Sequence, residues 1–127
     1  MRAQDVADDA MRRWITGAAT GDWAELIEVI APDVTFHVPV AGFEGVQHGV
    51  DAARRFFDRI SATIRADLTV DASFVADGRT AFEVAVVGTL EGEPFRQRLC
   101  LVFDVRDGRV HGFREYLAWP GGLRGTG

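Results

Sequence analysis

One acidic side chain lies on the apolar face of the last strand that the sequence predicts. Side chains alternate between the two faces of a β-strand, so every second residue of RVHGFREYLAWP, residues 109–120, points the same way. The residues on this face are His111, Phe113, Glu115, Leu117 and Trp119. A carboxyl group at Glu115, among such neighbours, is a candidate for catalysis.

A carboxyl group that faces an apolar pocket loses hydration, which disfavours its charged form and raises its pKa by up to ~3–5 units. A glutamate whose pKa lies at ~6–7 is an effective general acid or base near neutral pH. Glu115 could then remove a proton alpha to a carbonyl, activate water, or protonate a leaving oxygen.

A structural role for Glu115 is the alternative. A long arginine of the first helix, Arg12 or Arg13, could form a buried salt bridge with it, which would make the carboxylate part of the core. Arg114 is adjacent in sequence, but it belongs to the opposite face of the strand. The sequence leaves both interpretations of Glu115 open.

The three histidines are weaker candidates. His37 lies in the strand VTFHVPV, where alternation turns it away from the pocket, so a bulge or a one-residue slip is needed for it to assist Glu115. His48 lies in a glycine-rich loop, and we expect it to be in solvent. His111 shares a face with Glu115 but lies ~13 Å away along the strand. Because the three histidines are spread over separate segments, the sequence predicts no metal site.

The hydrophobic periodicity predicts an α+β domain. A first helix is predicted over 3–17. A second runs from Thr20 or Asp22 to Ile30, and Pro32 ends it. A third begins at about Gly49–Asp51 and contains the segment VDAARRFFDRIS. Strands are predicted over 34–40, 63–76, 79–91, 94–106 and 109–118. The short segments ADG, EGE and RDG between the last four strands predict hairpin turns, and hence an antiparallel meander.

Aromatic and aliphatic side chains of these elements are expected to line a pocket for a small hydrophobic molecule. The predicted ligand-contacting residues are Trp14, Phe36, Val38, Phe82, Val84, Leu101, Phe103, Phe113, Leu117 and Trp119.

Composition limits the remaining possibilities. The 127 residues are 47% hydrophobic and 26% charged, which predicts one globular domain over 1–127. A net charge of −5 argues against nucleic acid as a partner. The single cysteine, Cys100, excludes an internal disulfide. Without an apolar signal segment or a stretch of about 20 apolar residues, we expect a cytoplasmic protein with no membrane association.

Three segments together resemble the SnoaL-like branch of the NTF2-like superfamily. They are TGDWAELIEVIAPDVTFHVP, FEGVQHGVDAARRFF and VFDVRDGRVHGFREY, and their order and spacing are what carry the likeness. The resemblance implies a cone in which three N-terminal helices pack on a curved, mainly antiparallel sheet and enclose a pocket.

Two enzymes of this superfamily invite comparison. The tyrosine, base and protonated aspartate of ketosteroid isomerase fall at Trp14, Val38 and Leu101, all apolar here, so that machinery is not expected. The water-activating aspartate of limonene epoxide hydrolase falls on Glu115. The arginine and second aspartate of that enzyme fall near Phe82 and Val84, and one of its water-holding asparagines falls near His37.

Two functions remain open at the level of sequence. The first is a cofactor-independent isomerase, cyclase or epoxide-hydrolase-like enzyme with Glu115 as general acid or base. The second is a non-catalytic protein that binds a hydrophobic ligand in the same cone. The outer sheet face carries Val87 and Tyr116 beside its charges, so we also expect a homodimer through that face.

Overall fold

Helices pack against one side of a six-stranded sheet. The computed structural model describes residues 2–118. Its helices are α1 (Ala3–Thr20), α2 (Ala24–Glu28) and α3 (Val50–Thr63). Its strands are β1 (Ile30–His37), β2 (Gln47–His48), β3 (Ile64–Ala76), β4 (Arg79–Leu90), β5 (Glu93–Arg106) and β6 (Arg109–Ala118). The predicted α+β architecture of helices on a mainly antiparallel sheet is confirmed.

The sheet has the strand order β2-β1-β6-β5-β4-β3. Strands β3 to β6 form the predicted antiparallel meander, and only β1 and β6 run parallel. The three tight turns of the meander place Asp77, Glu91 and Asp107 at φ 51°, and a glycine with positive φ follows each. Paired left-handed residues of this kind suit the twist of two-residue hairpins.

The segment around Pro32 differs from its prediction. The second helix is the short α2, and β1 begins at Ile30 and contains Pro32 instead of following it. Proline lacks an N–H donor, and it is tolerated here because the pairing of β1 with β6 is interrupted between Ile30 and Thr35. The strand also ends at His37, earlier than predicted, and the following loop contains the short β2.

A bulge in β6 changes the face of the sheet to which its first residues point, compared with the prediction. The register between β5 and β6 shifts between Asp104 and Val105, so Val110 is fully buried in the core instead of lying on the outer face. His111 leaves the Glu115 row, and its Nδ1 lies 3.4 Å from the Asp33 carboxylate. From Phe113 onward the predicted alternation holds.

An aromatic cluster joins the helices to the sheet. Trp14 of α1 makes edge-on contacts with Phe57, Phe103 and Phe113, with ring centroids 5.2 to 5.9 Å apart. Phe36 of β1 stacks on Phe113 of β6 at 4.7 Å. This cluster holds the helices above the sheet and forms the floor of the space described next.

Candidate functional site

The candidate site is a cavity of about 50 Å³ between the helices and the inner sheet face, called here the Glu115 cavity. Its lining residues are Trp14, Ala18, Trp23, Phe56, Phe57, Ile60, Ile64, Ala66, Leu68, Val86, Phe95, Gln97, Leu99 and Glu115. Twelve of these are apolar or aromatic, and only Glu115 and Gln97 carry a carboxyl or amide group. This volume exceeds the ~10–15 Å³ that one water molecule needs, so the cavity has room for a few water molecules.

Strand pairing determines the position of Glu115. Glu115 lies opposite Leu101 of β5 and follows Phe113, whose partner on β1 is Phe36. Since β1 ends at His37, β6 continues beyond it and places Glu115 past the dense aromatic cluster. The side chain is partly buried and lines the cavity.

The carboxyl of Glu115 has no charged partner within residues 2–118. Arg12 and Arg13, the arginines considered as its partners, both bind Asp9 instead. Arg13 also donates a hydrogen bond of 2.6 Å to the Glu25 carbonyl oxygen of α2. Neither Arg12 nor Arg13 therefore forms the buried salt bridge with Glu115 that the structural interpretation considered.

Desolvation by the apolar lining raises the pKa of Glu115 to about 7. At neutral pH, protonated and ionised forms of this carboxyl are then both present in quantity. Glu115 can therefore donate a proton in one step and accept one in another without an extreme pH.

Most of the predicted ligand-contacting residues lie in the core and not in the cavity lining. Trp14 lines the Glu115 cavity, as predicted. Leu117 is partly buried beside the core, and Trp119 lies outside the described residues. The others are packed in the core below the cavity and do not line it: Phe36, Val38, Phe82, Val84, Leu101, Phe103 and Phe113.

The structure places His37 away from the Glu115 cavity, contrary to its prediction as a catalytic residue. Val34 and Phe36 are buried, so alternation leaves His37 exposed on the opposite side of β1. Neither a bulge nor a register slip occurs between Thr35 and His37, where β1 pairs regularly with β6. His37 therefore does not line the Glu115 cavity, and its assignment as a catalytic partner is not supported.

The cavity is also lined by three residues that were not predicted as site residues: Trp23, Phe57 and Gln97. Trp23 packs on Gly17, where an added Cβ would lie 2.3 Å from the indole ring, and it stacks on Phe57 at 4.7 Å. The glycine that makes room for this ring is the signal in the sequence. For Gln97 the signal is its place in an otherwise apolar row of β5.

A larger depression outside the core is a weaker candidate. This outer groove, of about 860 Å³, lies between α2 and α3 and shares Trp23 and Phe57 with the cavity. Its arginines already have partners, since Arg109 donates to the Glu28 carbonyl oxygen at 3.1 Å and Arg54 pairs with Asp51. It is also wide open to solvent, so we place the chemistry in the Glu115 cavity.

Across residues 2–118, no three His, Cys, Asp or Glu side chains are grouped so that they could hold a metal ion. None of the helices in this range has the length and apolar character needed to cross a membrane.

Comparison with known proteins agrees with the geometry. Residues 11–113 match the family model described as a SnoaL-like domain. The chain belongs to the SnoaL-like family. The uncharacterized protein Rv0034 of Mycobacterium tuberculosis is 31% identical over 121 residues, which cover 91% of this chain and 92% of that protein.

Solved structures of the NTF2-like fold superpose on this SnoaL-like chain. An NTF2-like protein from Anabaena variabilis has 27% identity and a TM-score of 0.89, covering 94% of this chain and 91% of the other. An LEH-like epoxide hydrolase from M. tuberculosis has 16% identity and a TM-score of 0.68, covering 86% and 80%, and shows the fold alone. Proteins of this fold include isomerases, cyclases and epoxide hydrolases.

Proposed function

We propose that this SnoaL-like protein is a cofactor-independent enzyme that acts on a small hydrophobic molecule, with Glu115 as its general acid or base. The observation that carries the proposal is a carboxyl group in an apolar cavity, without an ion-pair partner among the described residues. A carboxyl placed there costs free energy, and catalysis is a reason to keep it.

The reaction class follows from what one such carboxyl can do. As a carboxylate it takes a proton from a carbon alpha to a carbonyl, or from a water molecule that attacks an epoxide carbon. As a neutral acid it returns that proton to carbon or to the oxygen that is released. Isomerisation, cyclisation and epoxide opening all use this exchange, and they need no redox group.

The test is a screen of small ketones and epoxides against wild-type protein and two variants. Glu115→Gln keeps the shape and removes the titrating group, so we expect turnover to fall by about 10²–10⁴-fold. Glu83→Gln, on the exposed outer face of β4, is the matched control and should turn over like wild type. Undiminished turnover in Glu115→Gln would refute the assignment.

The pH profile separates the two roles of Glu115. If the carboxylate is the base, kcat/KM falls as pH drops below about 7; if the neutral form is the acid, kcat/KM falls as pH rises above about 7.

A non-catalytic hydrophobic-ligand binder is the second candidate. Its specific support comes from Phe82 and Val84, which are apolar and buried in the core. The resemblance to limonene epoxide hydrolase leads one to expect an arginine and an aspartate near these two positions. A binder would return its ligand unchanged after hours of incubation, and its affinity would be similar in Glu115→Gln.

A further inference from the structure

Gln97 contributes a polar group to the lining of the Glu115 cavity, beside the carboxyl of Glu115 and the buried indole N–H of Trp23. It lies on the inner face of β5 between Phe95 and Leu99 and opposite Val86 of β4. The side chain is partly buried, and its amide forms no hydrogen bond with another side chain or backbone group within residues 2–118. An amide that could accept and donate several hydrogen bonds therefore faces an apolar cavity without a protein partner.

An apolar residue would satisfy packing at this position better. The remaining inner positions of the core part of β5, namely Leu99, Leu101, Phe103 and Val105, are all apolar and buried. The amide of Gln97 is partly exposed and has no hydrogen-bond partner among the described residues, so a bound molecule can hydrogen-bond to it without breaking a contact of the protein. Gln97 is therefore available to hydrogen-bond to a ligand.

Gln97 and Glu115 lie in different parts of the cavity. Glu115 is paired with Leu101, and Gln97 lies four residues from Leu101 along β5, so the two backbones are about 13 Å apart at the rise of a strand. Both side chains line the one cavity, so the gap that a ligand must bridge is shorter than this backbone distance. The remaining lining is apolar or aromatic, and no lining side chain is an arginine or a histidine. One ligand that reaches both groups must therefore have an apolar body between two polar ends.

We propose that Gln97 determines specificity by hydrogen bonding to a neutral oxygen of the substrate, at the end remote from the group that reacts at Glu115. The substrate class is then a compact, uncharged, mainly apolar molecule with two oxygen functions, such as a diketone or a hydroxyketone. This inference rests on the proposed function in taking the Glu115 cavity as the substrate site.

The experiment uses the side-chain amide signals of ¹⁵N-labelled protein. The chain has glutamine at positions 4, 47 and 97 and no asparagine, so only three side-chain NH₂ pairs appear, and Gln97→Leu identifies the one of interest. The probes are 1,4-cyclohexanedione and 4-methylcyclohexanone, which have similar size but differ in the second oxygen. Gln47→Leu, outside the cavity, is the control variant.

We expect 1,4-cyclohexanedione to shift the Gln97 NH₂ pair, and Gln97→Leu to weaken its binding about 5- to 10-fold, as the loss of one hydrogen bond requires. Binding of 4-methylcyclohexanone should be unchanged or tighter in Gln97→Leu, and Gln47→Leu should resemble wild type with both probes. The backbone amide spectrum of each variant verifies that it is folded.

Equal affinity of wild type and Gln97→Leu for the dione would overturn the inference, and so would a failure of either probe to bind. The readout is independent of turnover. If Glu115→Gln keeps its activity while Gln97 still binds the dione, the catalytic proposal fails and the specificity proposal stands.

Discussion

At the scale of single residues, Glu115 combines a destabilising location with a useful chemical state. Its carboxyl has only apolar neighbours and Gln97 around the cavity, and both nearby candidate arginines are bound to Asp9. The rise of its pKa from 4.5 to about 7 corresponds to about 3 kcal/mol. This free energy links the stability of the whole chain to pH.

Stability should therefore fall as pH rises through 7. The folded protein holds the Glu115 proton more tightly than the unfolded chain does, so this contribution is fully present below pH 4.5 and is lost as pH rises past about 7. Between pH 4.5 and 8 we expect wild type to lose about 3 kcal/mol of unfolding free energy relative to Glu115→Gln. Urea unfolding at several pH values measures the difference.

The exposed carboxyl of Glu83 supplies the control for this measurement. Glu83→Gln should follow the wild-type pH dependence, because Glu83 is exposed on the outer face of the sheet. If the curves of wild type and Glu115→Gln run parallel over this pH range, the carboxyl is not desolvated in the way described.

At the scale of elements, a glycine in β4 permits the close approach of β3. Gly88 is paired with Ala66, and a Cβ at Gly88 would lie 2.1 Å from the Arg65 carbonyl oxygen and 2.5 Å from the Ala66 Cα. Both are backbone atoms, so no rotamer change can relieve the contact. This approach brings Ala66 to the wall of the cavity.

Gly88→Ala should therefore destabilise the fold by about 3 kcal/mol or more, at or beyond the upper end of the range for overpacking. The measurement is the free energy of unfolding in urea. Thr89→Ala, at the next position of β4, removes a side chain without creating this contact and should cost less than about 1 kcal/mol. A Gly88→Ala variant as stable as wild type would show that β3 and β4 are not so closely apposed.

The sequence predicted the elements better than their irregularities. Strict alternation placed Glu115, Gln97 and Leu99 on the inner face of the sheet, and the turn residues gave the meander its strand order. Alternation cannot anticipate the bulge at β6, which buries Val110, because a bulge adds a residue to one strand without changing its composition.

The sequence also could not predict how deeply each residue of the inner face lies in the core. The same two-residue period describes Phe103, which is completely buried, and Gln97, which lines the cavity. Which of the two meets a void depends on how far the helices extend over each strand. That distance comes from tertiary packing, chiefly from Trp14 and Trp23, and no local pattern encodes it.

At the scale of the whole molecule, the outer sheet face remains the expected dimer interface. Val87 and Tyr116 are 48% and 53% exposed on this face. Several of its charges are already paired, with Arg98–Asp71 at 2.6 Å and Arg79–Asp104 at 2.8 Å. Paired charges leave fewer unmatched ions to desolvate when two such faces meet.

We expect wild type to sediment at twice the chain mass at micromolar concentration and Val87→Arg to sediment at the mass of one chain. An arginine at Val87 would have to lose hydration when two outer faces meet, and the symmetry of a dimer would bring in a second arginine of the same charge. Val46→Arg is the control, since Val46 is 58% exposed in the loop before β2, away from the outer face. A monomeric wild type would contradict the proposed interface.

The parallel pairing of β1 with β6 connects the first strand of the chain to the last. During translation β1 and the helices leave the ribosome long before β6, and β1 pairs only with the two-residue β2 until then. The nascent chain must therefore keep one edge of β1 unpaired until β6 has been made. The native sheet can close only after β6 has left the ribosome.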